Sequence, residues 1–205
     1  MGRKFTEIAF TPTVKQLQLQ HGTRDAYARM EQSDRENNRL EPRVADFVRD
    51  RDSFYLGSTS ANGWPYIQFR GGVPGFLKVI DDRTLGFADF SGNGQYLSTA
   101  NIQDDDRVFL FLMDYEQRRR LKIWGRARAI GLDDPLLAVL RDDRDPTPIE
   151  RGFTIRVEAW DWNCPQHIPQ KWGEAEVAAI VEPLRARIAD LEAQLAAQPE
   201  TRSGH

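Results

Sequence analysis

The sequence predicts a mostly antiparallel β-barrel or sandwich flanked by helices. Two observations carry this. Residues 54–130 hold a succession of short apolar runs separated by turn signals, which is the spacing of an all-β meander or barrel. The flanks instead repeat their apolar residues at helical intervals.

Residues 12–21 open with Thr11-Pro12, an N-cap followed by proline in the first turn, and Gly22 stops the helix. Residues 23–31 make a second short helix with Tyr27 and Met30 on one face, and residues 34–40 are polar loop. Glu41-Pro42 restarts a helix to residue 49, with Val44, Phe47 and Val48 inward. The first strand is residues 54–59, and Asn62-Gly63 is a strong hairpin signal into the second, residues 65–70. After a Gly-rich turn, strands are expected at 76–80 and 84–90. A polar loop, 91–95, leads to a short helix at 96–102, then strands at 107–114 and 119–130. Residues 133–140 read as a helix on Leu136, Leu137 and Leu140, residues 142–150 as a charged loop, and 153–160 as a closing strand.

The C-terminal segment differs. Val177, Val181, Leu184, Ile188, Leu191 and Leu195 recur at alternating four- and three-residue steps, a short heptad seam interrupted by Pro183. Either this helix packs on its own barrel or it is a dimer arm. Residues 199–205 are expected to fray. The division expected is residues 1–50 as a helical extension, 51–172 as the barrel core and 173–205 as C-terminal helix and tail.

At 205 residues the chain suits one domain with terminal additions. Its 28 Lys and Arg against 31 Asp and Glu leave a slight acidic balance, and only Arg118-Arg119-Arg120 cluster. That argues against a nucleic-acid partner, whose footprint is a basic face. One cysteine, Cys164, permits no internal disulfide framework, and three histidines with it make a metal centre implausible. With no long apolar run and no signal-peptide core, a cytoplasmic protein without a membrane partner is expected.

The feature that carries chemistry is the loop Ser91-Gly92-Asn93-Gly94-Gln95. Small and amide-bearing residues leave backbone N–H groups free to face an anion, and a helix start behind them adds its positive end.

Three stretches in order, Asn62-Gly63-Trp64-Pro65-Tyr66-Ile67-Gln68, Gly92-Asn93-Gly94-Gln95-Tyr96 and Arg119-Arg120-Leu121-Lys122-Ile123-Trp124-Gly125, together with Asn101, resemble the pyridoxamine 5′-phosphate oxidase-like proteins. Phe10-Thr11-Pro12-Thr13-Val14, Gly22-Thr23-Arg24 and the segment from Asn163 through Cys164 and Gln166 to Pro169 resemble flank motifs of a bacterial FMN-dependent enzyme subgroup. The resemblance covers residues 5–195.

It implies a homodimeric split β-barrel of the FMN-binding type, with the cofactor at the subunit interface. Matching positions for FMN are Gln68, Phe69 and Arg70 on one strand, Ala88 and Asp89 before the loop, Asn93 and Gln95 in it, and Arg120 and Lys122 on the basic strand. One departure stands out: the loop position that carries a phosphate-binding arginine in the family is Gly94 here. Either a strong charge-assisted bond is lost unless Arg70, Lys78 or Arg120 replaces it, or glycine lets the backbone wrap closer to the phosphate.

On the residues alone, Arg70 is an ordinary strand end, and Asn93 and Gln95 are ordinary turn residues. Alternation puts Arg120 and Lys122 on one polar face. Cys164 and His167 invite a nucleophile pair, but Pro165 and Pro169 suggest an extended segment and a packing cysteine. Gln166, His167 and Trp160 are candidates to line a flavin or substrate. Trp124, Trp162 and Trp172 fit the same role or plain packing equally well.

The expected function is an FMN-dependent oxidoreductase that transfers hydride from a small organic substrate to the flavin. No catalytic acid–base or nucleophile set is assigned, since the cofactor carries the chemistry. Pyridoxamine phosphate oxidation itself is not expected, because the segment from Cys164 to Pro169 replaces the substrate-phosphate features. The alternative is a non-catalytic flavin- or haem-binding module for storage, sensing or partner docking.

Overall fold

The computed structural model describes residues 3–33, 36–163 and 165–197. Helices α1 (Lys4–Ala9), α2 (Pro12–Gln20), α3 (Arg24–Glu31) and α4 (Pro42–Arg49) precede β1 (Ser53–Thr59) and β2 (Pro65–Gly71). Next come β3 (Lys78–Val79), β4 (Thr84–Phe90), α5 (Leu97–Asp104), β5 (Arg107–Asp114) and β6 (Arg119–Ile130). The chain then forms α6 (Leu137–Leu140), β7 (Ile149–Trp162) and α7 (Glu174–Ala196). Cys164 and the predicted frayed tail, 199–205, lie outside the described residues.

Seven strands form one antiparallel sheet in the order β2-β1-β5-β6-β7-β4-β3, so β2 and β3 are left as its two edges. The split-barrel expectation holds. Odd positions of β6 such as Leu121 and Ile123, and even ones of β5 such as Leu110 and Leu112, are buried, as period-two alternation requires. They join Phe54, Leu56, Leu85, Phe87, Phe153 and Ile155 in one core, which Val44, Phe47 and Val48 of α4 cover. β6 and β7 slip register between Trp124 and Gly125. A Cβ on Gly125 would lie 2.7 Å from the Arg156 carbonyl oxygen, so the bulge brings backbone closer than any side chain allows.

Local signals act as expected at several ends. The Thr11 hydroxyl accepts from the Val14 N–H at 3.3 Å, capping α2. Ser60 and Trp64 close the Asn62-Gly63 turn through a 3.0 Å backbone bond.

Three expectations are corrected, and one of the two alternatives left open for the C-terminal helix falls away. The strand over 76–80 shrinks to β3: the Phe76 N–H donates to the Val73 carbonyl in a turn, and Phe76 and Leu77 sink into the core instead of pairing. The helix over 133–140 shrinks to α6, because the Asp134 side chain accepts from the Leu136 N–H at 2.9 Å and holds a turn there. The closing strand is longer than 153–160 and takes the end of the predicted charged loop, since β7 pairs with β4 from Ile149 onward. Packing of α7 on its own barrel is not found: α7 runs unbroken through Pro183 with no buried residue.

Helix α1 had no sequence signal. It forms because Phe5 is buried against Trp124, ring to ring at 6.1 Å, and against Phe10 at 5.7 Å. No helix among the described residues is long and apolar enough to cross a membrane.

Candidate functional site

A cleft of about 200 Å³ opens between the outer end of β2, the β4–α5 loop and the start of β7. It is lined by Tyr66, Gln68 and Arg70 of β2, Asp89 of β4, residues 92–95, the first turn of α5 and Glu150. Side chains two apart on β2 face the same way, so one strand delivers three polar groups. The Tyr66 hydroxyl donates to Oε1 of the Gln68 side-chain amide and orders the pair.

The loop is held in a backbone conformation that offers amides. Asn93 Oδ1 accepts from the Gln95 N–H at 3.1 Å, Gly94 has φ +72° and Tyr96 has φ +53°. The first-turn N–H groups of α5 have no helical acceptor, and no side chain caps them. Their positive end faces the cleft. Asn101 Nδ2 donates to Ser58 Oγ at 3.0 Å and ties α5 to β1. A Cβ on Gly94 meets nothing within 4 Å. Glycine is therefore favoured there by its left-handed φ and not by lack of room.

The charges form a chain. Arg70 pairs with Asp89; the second Asp89 oxygen is 3.6 Å from Arg151, and Arg151 reaches Glu150 at 2.6 Å. Arg151 also donates to Thr99 Oγ1 at 3.2 Å and lies over the Tyr96 ring at 4.9 Å. Arg70 keeps one face on the Phe87 ring at 5.7 Å, and its Nε is buried with no hydrogen-bond partner. Two cations thus balance two carboxylates, with donor capacity in reserve. Burial, opposed in part by Arg70 and Arg151, holds the Asp89 carboxyl above the usual aspartate range.

Of the residues expected from sequence, Gln68, Arg70, Asp89, Asn93 and Gln95 come together here. The others do not. Phe69 points to the opposite face of β2, 56% exposed and edge-on to Tyr55 at 5.7 Å. Ala88 packs with Ile130 and Leu140 in a second apolar cluster. Lys122 pairs with Asp161 at 3.0 Å and faces a separate cleft beneath α1–α3. Arg120, two residues away on the same strand, has its Nε buried without a partner. Lys78 is paired with Asp142 at 2.8 Å. Trp160 is core: its indole N–H donates to the Arg39 carbonyl at 2.7 Å, which leaves it no place in this cleft. Gln166 and His167 are exposed on a turn, His167 at φ +64°.

Arg151, Glu150 and Tyr66 were missed. Arg151 enters only through its pairing opposite Asp89, a register no local signal announces. Tyr66 was legible, since it shares strand parity with Gln68 and Arg70.

Comparison with known proteins reports on the same region. The family model for pyridoxamine 5′-phosphate oxidase matches residues 40–152, more than half of the chain. Among solved structures the chain is similar to HupZ of Group A Streptococcus at 15% identity and a TM-score of 0.50, over 64% of this chain and 98% of that one. A variant of HupZ matches with the same identity and score, over 60% and 99%. An FMN-binding protein from Syntrophomonas wolfei is similar at 11% identity and a TM-score of 0.47, over 71% and 97%. At these identities the likeness is one of fold. No curated protein sequence matches the chain.

Proposed function

The chain belongs to the pyridoxamine 5′-phosphate oxidase family, and from that premise we propose that it is an FMN-dependent oxidoreductase acting on a small organic substrate. The observation that carries this reading is the uncapped start of α5 behind the 91–95 loop, with Arg70 beside it. Amides at a helix N-terminus plus one guanidinium suit a phosphate monoester. The residues present fit such a group, because Arg70 Nε is buried and unsatisfied.

In this reading the α5 amides, Asn93, Gln95 and Arg70 hold the phosphate, and Gln68 with Tyr66 orients the neighbouring polar chain. When bound, FMN supplies the hydride acceptor. The cleft, at about 200 Å³, is below the usual size of a pocket that encloses a whole ligand. It therefore takes one end of the cofactor. The remainder fits a homodimer in which the second subunit contributes the wall, with Phe69, Arg120 and Lys122 as candidates. Exposed Ile67 and Phe69 of β2, with Trp64 just before the strand and Tyr55 of β1 beside them, support such an interface. Residues 51–172 would then be the cofactor-bearing core, with 1–50 and 173–205 added to it.

The test is an absorbance spectrum of purified protein after incubation with FMN and removal of the excess. A retained flavin band that bleaches with a nicotinamide or organic donor and recovers in air is the expected result. A folded protein that retains no band rejects the reading.

A second reading, a flavin-binding module without turnover, draws support from the lining itself. Among the described residues around the cleft there is no His, Cys or Lys, so proton transfer has few carriers. A band that no donor bleaches would select it.

Asp89 sets the resting charge. A phosphate must compete with it for Arg70, so Asp89→Asn is expected to tighten FMN about three- to tenfold by fluorescence titration. Weaker binding would mean that Asp89 serves the cofactor directly. Its folded carboxyl binds a proton more tightly than the unfolded one. The associated stability is complete below the ordinary aspartate value and is lost as pH rises through the raised one. The asparagine variant should lose that slope in denaturation series.

A further inference from the structure

We propose that α7 pairs with α7 of a second copy of this chain as a short parallel two-stranded coiled coil. The helix is 23 residues long, and none of its residues is buried. Val177, Leu184, Ile188, Leu191 and Leu195 all stand exposed along one line, at the four- and three-residue steps of a heptad. In proteins most helical stability comes from packing of an apolar face and not from propensity, and among the described residues nothing buries this one. Something covers it, and the composition of the stripe says what.

With Val181, Ile188 and Leu195 at the a positions, Val177, Leu184 and Leu191 fall at d. Two of the three a residues are β-branched and two of the three d residues are leucine. That distribution favours two parallel strands over trimers or tetramers. The flanking charges agree. Arg187 occupies a g position and Glu192 the following e position, so in a parallel, in-register pair each Arg187 meets the partner helix's e-position carboxylate on both sides of the seam. In the single chain Arg187 is held by Asp190 at 2.5 Å, one turn away on the same helix, and Glu192 makes no ion pair among the described residues.

Pro183 fits the same geometry. It removes one helical hydrogen bond, but it sits at a c position, on the outer side of a pair. Helices curve convex toward solvent, so a proline there bends the helix toward its partner. The start of α7 is also fixed in space: Gln170 Nε2 donates to the Glu116 carbonyl at 3.0 Å, and Lys171 lies over the Tyr115 ring at 4.5 Å. The β5–β6 hairpin thereby anchors each helix at its N-terminal end, and two anchored helices related by a two-fold axis along their length meet in parallel.

This pairing does not rest on the cofactor. Single cysteines are introduced in full-length Cys164→Ser protein, at the seam (Leu184→Cys) and on the outer face (Ala186→Cys), and oxidised mildly. Leu184→Cys should cross-link nearly completely to a covalent dimer, and Ala186→Cys less than a tenth as much. Equal cross-linking at both positions, or none at either, overturns the proposal. Cross-linking of a mixture of Leu184→Cys and Ile188→Cys chains, with none in either variant alone, overturns it by showing an antiparallel pair. Circular dichroism of each variant confirms folding, and FMN retention on the same samples reports the proposed function separately.

Discussion

Arg70→Ala is expected to weaken FMN binding about 10- to 100-fold, the range of a charge-assisted hydrogen bond of roughly 1.5–3 kcal/mol. The reason lies in how Arg70 is held. Its guanidinium is partly buried between Asp89 and the Phe87 ring, with Nε unsatisfied. It is thus oriented before any ligand arrives, and little side-chain entropy remains to be lost on binding. Gly94 has no charge to substitute for it, and Lys78 is engaged elsewhere. Arg70→Lys should recover only part of the affinity, because an ammonium offers a point charge without the planar fork. Fluorescence titration decides. A loss of less than threefold for the alanine variant would place the phosphate anchor on the α5 amides alone.

The largest effect on stability should come from Phe87→Ala. Phe87 is 1% exposed, stacked on Phe153 at 5.3 Å and edge-on to Phe54 at 5.3 Å. Emptying such a site costs about 3–5 kcal/mol through lost transfer energy and the cavity left behind. That is a large fraction of a typical domain's stability, about 5–15 kcal/mol, and should lower the melting temperature by roughly 10 °C. Because Arg70 rests on the same ring, Phe87→Leu should serve as the informative companion: about 1 kcal/mol lost in denaturant, with FMN binding weakened beyond what that loss explains. Unchanged affinity in Phe87→Leu would separate the core from the site.

Much of the fold was legible because its signals are local. Thr11-Pro12, Asn62-Gly63 and the alternation in residues 107–114 each act within a few positions. The misses share a cause: tertiary structure decided them. Phe76 and Leu77 are apolar because they are buried, and burial does not require a ladder. Ile149 to Gly152 follows two prolines and does not alternate, yet β4 recruits it as strand. Residues 4–9 show no helical pattern, and α1 exists through Phe5 on Trp124. The site divides in the same way. Gln68, Arg70, Asn93 and Gln95 came from the family resemblance, and the structure brings them to one cleft. Arg151 and Glu150 depend on which strand lies opposite Asp89, which only the folded sheet reveals.

The two free edges of the sheet are protected unequally. β3, with two residues, is too short to template another strand. β2 runs for seven, with Ile67 and Phe69 exposed and only Pro65 at its first position to interrupt pairing. A long apolar edge recruits other strands, and a proline blocks recruitment only where it sits. Aggregation of chains whose partner surface is uncovered should therefore begin along β2, and a lysine at Ile67 should raise solubility more than any change at the opposite edge.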